Sequence, residues 1–153
     1  MTKKIVSALI LVVMLISLVP AAAFAANTTD TDYFVLTVSD AFGYIPARSK
    51  QNSTPIFAKI TNLSQNQSVK ARVEGAASAV GPFYNCTLSN NADSEYVTLY
   101  LNTKHSIRNM VNERGYYVAR LGFKNNSGLS GEGVTGWWSP DSSMTHTVAT
   151  RDN

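Results

Sequence analysis

The amino-acid sequence predicts an all-β protein, a single antiparallel β-sandwich of about seven short strands that follows a cleaved signal peptide. Apolar and polar residues alternate with a period of two in several segments, which is typical of strands with one buried face. Clusters of Gly, Pro, Asn, Asp and Ser separate these segments at short intervals, as expected for the connections of a sandwich. One segment, residues 104–114, has a helical pattern instead.

The start of the chain has the features of an export signal. A short basic stretch precedes an almost unbroken apolar run over residues 5–20, and residues 21–25 end in a small-x-small site. A signal peptidase reads this arrangement, and the run is short for a membrane span. We therefore predict a signal peptide over residues 1–25 with cleavage between Ala25 and Ala26, and a secreted, extracellular protein that keeps no stable membrane anchor.

Residues 26–153 are enough for one domain with a core of its own. Without Lys3 and Lys4, this part has 11 Lys and Arg against 10 Asp and Glu, and the charges alternate in sign along the chain. A nucleic-acid partner would require a clustered basic patch, which the sequence lacks. Cys86 is the only cysteine, so the domain must be stabilised by packing and not by an internal disulfide.

The alternating patterns assign the strands in chain order. They cover residues 33–38, 56–61, 69–74, 83–88, 95–101, 116–123 and 134–138, with an edge strand through Phe42 and Tyr44. Cys86 alternates with Tyr84 and Leu88, which favours a buried thiol over an intermolecular disulfide. The tail, residues 143–153, is either frayed or adds a weak edge strand.

Residues 104–114 are open to two interpretations. Ile107, Met110 and Val111 stand at i, i+3 and i+4, and Gly115 stands where a helix would end, which favours a short helix or turn. A strand here would place Asn109 on the buried face, which is the poorer solution.

The last two strand segments predict a hairpin, because residues 125–131 between them are rich in Gly, Asn and Ser. Neighbouring residues of a strand point to opposite faces, so Trp138 is expected in the core and Trp137 outside. Tyr117 falls in the predicted core row, and Tyr116 and Arg120 fall on the opposite side.

If the hairpin forms, Trp137, Tyr116 and Arg120 meet in one exposed patch. Such a patch could stack on a sugar ring or make cation–π contacts. The alternative is structural: Arg120 only caps Trp137, or loops cover the tryptophan.

The sequence assigns no catalytic residue, metal ligand or cofactor. The two histidines, His105 and His146, are far apart in the chain, and no serine stands in a Gly-x-Ser-x-Gly elbow. A hydrolase that used two carboxylates would have to gather them in three dimensions. The candidates by residue type are Glu74, Glu95, Glu113, Glu132 and Asp141.

Two motifs carry a resemblance. They are Gly-Tyr-Tyr-Val-Ala-Arg-Leu at residues 115–121 and Gly-Trp-Trp-Ser-Pro-Asp-Ser at residues 136–142. With these motifs, the export signal, the strand over residues 33–38 and the Ala47-Arg48 stretch before Ile56, the chain resembles a family of small secreted proteins of Gram-positive bacteria classed as a domain of unknown function. The resemblance implies export and a compact β-rich fold, and it assigns no ligand or catalytic residue.

These observations favour a secreted, non-enzymatic bacterial protein that binds an extracellular partner, such as cell-wall glycan, exopolysaccharide or an extracellular protein. Two alternatives stay open. One is a secreted antagonist, either a bacteriocin-like toxin or an enzyme inhibitor, and the other is the carboxylate-based hydrolase.

Overall fold

The computed structural model describes residues 31–88, 95–128, 131–142 and 147–148. Within these residues the chain forms strands and turns and no helix. The predicted signal peptide and the Ala25–Ala26 cleavage site lie outside them. The strands are β1 (Asp32–Val38), β2 (Gly43–Tyr44), β3 (Arg48–Ser49), β4 (Ile56–Leu63), β5 (Ser68–Ala76), β6 (Tyr84–Asn85), β7 (Val97–Tyr100), β8 (Lys104–Ile107), β9 (Val118–Asn125), β10 (Glu132–Ser139) and β11 (Thr147–Val148).

The strands form two sheets. Sheet A has the order β1-β10-β4-β8-β11, and sheet B has the order β2-β9-β5-β6, with β3 also paired to β9 and β7 to β5. The pairs are antiparallel except β8 with β11, where the tail adds a parallel edge strand. The predicted all-β sandwich is therefore confirmed. The expected strand over residues 83–88 is shorter than predicted, since only β6 forms there.

The hydrophobic core lies between the sheets. Val69, Ala71 and Val73 of β5 are fully buried, as their alternation predicts. The rings of Phe34 in sheet A and Phe123 in sheet B stack across the interior, with centroids 5.0 Å apart. Cys86 is buried in the same cluster, which confirms its interpretation as a core residue. Each fully buried valine or phenylalanine side chain of this core contributes about 1.5–3 kcal/mol to the stability of the fold.

The predicted hairpin is wrong. β9 pairs with β2, β3 and β5 in sheet B, whereas β10 lies between β1 and β4 in sheet A. The connection between the two strands therefore crosses from one sheet to the other. Alternation identifies which face of a strand is buried, but it does not identify the neighbouring strand. Two consecutive strands with a short glycine-rich link fit either arrangement.

The short helix or turn favoured for residues 104–114 is wrong for the first part of this segment and confirmed as a turn for the last part. Lys104–Ile107 is a strand that pairs with β4, and a turn follows, in which the Tyr116 amide donates to the Val111 carbonyl at 2.9 Å. Asn109 is buried after all, because its side chain finds partners. Its amide nitrogen donates to the Ile107 carbonyl, and its oxygen accepts from the Val111 amide, both at 3.3 Å.

Candidate functional site

The two neighbouring tryptophans of β10 point in opposite directions. Trp138 is buried in the core at 2 % exposure, and Trp137 on the outer face of sheet A is 41 % exposed. The sequence prediction for both residues is confirmed. The backbone period of two therefore presents one indole to solvent from a strand that is paired on both sides, between β1 and β4.

Tyr33 lies beside Trp137 on this outer face. The two residues are direct partners across β1 and β10, their ring centroids are 5.1 Å apart with the planes tilted by 58°, and Tyr33 is 55 % exposed. We call these two side chains the aromatic pair. The sequence placed Tyr33 in a strand but could not match it to Trp137, because the register of segments a hundred residues apart leaves no local signal.

A glycine sets the position of the aromatic pair in sheet A. β10 comes so close to β4 at Gly136 that a Cβ there would lie 2.4 Å from the carbonyl oxygen of Lys59. The register shifts by an irregularity between Thr135 and Gly136, after which Trp137 stands directly opposite Lys59. The bare backbone of Gly136 thus allows the close approach that brings a lysine next to the tryptophan.

Arg120 lies on the other sheet. Its Nε and Nη2 donate to Oε2 of Glu74 at 2.9 and 2.6 Å, and Nη2 of Arg72 is 2.6 Å from Oε1 of the same carboxylate. The Arg120 guanidinium is 3.9 Å from the ring centroids of both Tyr44 and Phe83. Arg120 is therefore already engaged by sheet B itself.

Together these side chains form an arginine–aromatic ladder on the outer face of sheet B. Its members, in stacking order, are Phe42, Arg72, Tyr44, Arg120 and Phe83. Glu74 joins the two arginines from below and is almost fully buried. The ladder requires Gly122, since a Cβ at this position would lie 2.5 Å from Cε1 of Tyr44. The stacking and ion pairing lock these side chains to one another.

Tyr116 is not an outward residue of a strand. It precedes β9, packs partly buried against the core cluster and stacks on Tyr84 with centroids 5.7 Å apart. Tyr117, which was expected in the core row, is exposed. The alternation fails here because β9 begins only at Val118. Trp137 lies on one sheet and Arg120 on the other, so the three predicted site residues do not form one patch.

A buried ion pair joins two distant parts of the chain. The Lys50 ammonium donates to the carbonyls of Thr54 and Pro140 at 2.6 and 2.8 Å and to Oδ1 of Asp141 at 3.2 Å. Both charged residues are 1 % exposed. Burial lowers the pKa of Lys50, and the Asp141 carboxylate opposes that shift. The backbone amide of Gln51 completes the enclosure by donating to Oδ2 of Asp141 at 2.9 Å.

Residues 21–142 match the family model described as protein of unknown function, DUF2712. The chain belongs to this family. No curated protein and no solved structure matches it. The match extends from the end of the predicted signal peptide to the residue after Asp141, so it includes every side chain described above.

Three of the candidate carboxylates of this DUF2712 protein are held in separate parts of the fold. Glu74 is held in the ladder, and Glu132 and Asp141 lie at opposite ends of β10. Buried Glu132 accepts hydrogen bonds from the Gln65 amide at 3.0 Å and from the Asn66 side chain. These three carboxylates are thus engaged in separate parts of the fold. Glu95 and Glu113 are exposed.

His105 lies inside the sandwich next to Tyr100. Its Nε2 accepts a hydrogen bond from the Tyr100 amide at 2.9 Å, and its Nδ1 finds no hydrogen-bond partner among the described residues. Burial lowers the pKa of His105, so the neutral imidazole is favoured. His146, the other histidine of the sequence, lies outside the described residues.

Among the described residues, no group of three or more His, Cys, Asp or Glu side chains is placed to hold a metal ion. The same part of the chain has no helix long and apolar enough to cross a membrane.

Proposed function

We propose that this DUF2712 protein is exported and acts outside the cell as a non-enzymatic binding protein whose ligand is a glycan. The aromatic pair is the binding surface. The observation that carries the proposal is the side-by-side exposure of Trp137 and Tyr33 on an ordered sheet face.

The physical reason is that both rings leave apolar surface in contact with water. A half-exposed indole and phenol keep apolar area in water, and Val35 on the same edge strand is 70 % exposed. A sugar ring offers C–H groups on its flat face and hydroxyls at its rim, which suits aromatic side chains with an apolar body and a polar tip. Because backbone pairing on both sides fixes β10, the tryptophan is presented with little entropy left to lose.

The binding test uses insoluble peptidoglycan and a panel of polysaccharides in pull-down assays with the processed protein. Trp137→Ala and Tyr33→Ala should each weaken binding about tenfold, because truncation of an aromatic side chain in a binding surface costs about 1.4 kcal/mol or more. Tyr117→Ala is the matched control, since Tyr117 is exposed and stands directly before β9, a strand of the other sheet. Retention of full binding by Trp137→Ala would exclude the aromatic pair as the site.

Export and the absence of turnover are tested separately. N-terminal sequencing of the protein from culture medium should begin at Ala26, because the small-x-small site precedes that residue. A full-length, cell-retained chain would contradict export. Prolonged incubation with each bound polysaccharide should release no new reducing ends, and their appearance would contradict a non-enzymatic role.

A further inference from the structure

A straight row of side chains crosses the outer face of sheet A. The direct cross-strand partners are Tyr33 with Trp137, Trp137 with Lys59, and Lys59 with Lys104. Neighbouring strands are about 4.8 Å apart, so the row spans about 14 Å across four strands. Two aromatic rings therefore continue directly into two ammonium groups.

The two lysines stand where a stable sheet would avoid them. Like charges directly opposite one another on adjacent strands are destabilising. Within the described residues neither Lys59 nor Lys104 forms an ion pair with a carboxylate. A destabilising pair of like charges without a compensating contact is the kind of exception found at functional sites.

Sheet B provides an internal comparison. Lys70 and Lys124 are also direct cross-strand partners, but the Lys70 ammonium lies 4.8 Å from the Tyr96 ring centroid, within cation–π distance. No exposed tryptophan continues that row among the described residues. Among the described residues, only the row in sheet A thus joins exposed rings to lysines without a carboxylate partner.

We propose that this row binds a polyuronate, a glycan whose sugar rings each carry a carboxylate. The inference rests on the proposed function and adds the ligand's charge. The aromatic pair stacks on one part of the glycan, and Lys59 and Lys104 pair with carboxylates of the sugars that follow. A carboxylate fixed to the ring suits this row because every sugar of the polymer offers both a ring face for the aromatic pair and a carboxylate for the lysines beside it.

The experiment measures the affinity of the processed protein for polygalacturonate by titration calorimetry. Its methyl ester, which keeps the same backbone but loses the charge, is the matched ligand. Polygalacturonate should bind about fivefold more tightly than the ester, and the difference should shrink as salt is raised, because exposed ion pairs are screened. The double variant Lys59→Gln with Lys104→Gln should abolish the difference, and Lys70→Gln with Lys124→Gln should leave it unchanged.

The outcomes separate the two proposals. If Trp137→Ala weakens binding to both polymers but the ester binds as well as the acid, the polyuronate inference fails and the glycan proposal stands. If Trp137→Ala changes neither, the glycan proposal itself fails. Equal binding of poly(glycerol phosphate) and polygalacturonate overturns the commitment to carboxylate, since it shows that any regular polyanion is sufficient.

Discussion

The outer faces of the two sheets use similar residue types in opposite ways. On sheet B, each arginine of the ladder lies between aromatic rings and pairs with Glu74, so the charges and the rings have partners within the protein. On sheet A, Trp137 and Tyr33 contact each other and remain half exposed. The comparison shows that aromatic and basic residues indicate a binding surface only where the fold leaves them unsatisfied.

The ladder should contribute to stability and the aromatic pair to binding. Glu74→Ala tests the first half most strongly, since it leaves two arginines facing each other with no carboxylate. We expect a loss of about 3 kcal/mol in the free energy of unfolding, at the lower end for a broken buried pair because both arginines keep some exposure. Urea unfolding measures it, with exposed Glu95→Ala as the control. An unchanged midpoint together with lost glycan binding would reverse our assignment of the two faces.

Gly122→Ala tests the same ladder by adding a methyl group where the Tyr44 ring packs on the backbone. The added Cβ would lie 2.5 Å from the Tyr44 ring, so the ring must leave its place between the arginines, at a cost of about 1–2 kcal/mol. Gly133→Ala in β10 is the control, since its Cβ would meet only the Ser64 side chain at 3.4 Å. Equal melting temperatures of the two variants would show that the ladder does not depend on this close approach.

Acidification should lower the free energy of unfolding, because His105 is buried between the two sheets. Because burial lowers the pKa of His105 in the folded state, the unfolded chain binds the extra proton first as pH falls below about 6.5. The stability present above that pH is then lost at up to about 1.4 kcal/mol per pH unit. His105→Gln should flatten this slope in chemical unfolding between pH 5 and 7, values chosen to bracket the ordinary histidine pKa. A slope that persists in this variant would assign the effect to other groups.

The smallest effect on stability is expected at the aromatic pair. Trp137→Ala should lower the free energy of unfolding by about 1 kcal/mol, since a side chain that is 41 % exposed has less burial to lose than a core residue. The same purified variant should bind glycan about tenfold more weakly than the unmodified protein. A Trp137→Ala protein that loses stability as Glu74→Ala does would make Trp137 a structural residue.

Alternation within a strand was readable from the sequence, and it placed Trp137 and Trp138 on their correct faces. It could not say that β9 and β10 belong to different sheets, because a period of two is the same for either partner. It also reversed Tyr116 and Tyr117, which stand before the strand begins. Within a strand the inference is therefore reliable, and it fails at strand ends and between strands.

Contacts between distant segments left even less trace. Lys50 stands in a polar stretch, and Asp141 follows a proline in what reads as an exposed turn, yet the two are enclosed together. The ladder likewise draws on β2, β5 and β9. In each case the sequence supplied suitable residue types, and only the fold brought them within reach.

The position of β10 between β1 and β4 affects the order in which sheet A can assemble. β1 and β4 do not pair with each other, because the slot between them is filled by a strand translated some seventy residues after β4 ends. Sheet A thus stays open until nearly the whole domain has been made, and such long-range pairing is slow. Under the proposed export, this late closure would leave the chain unfolded during its passage through the membrane, and sheet A would be completed only afterwards.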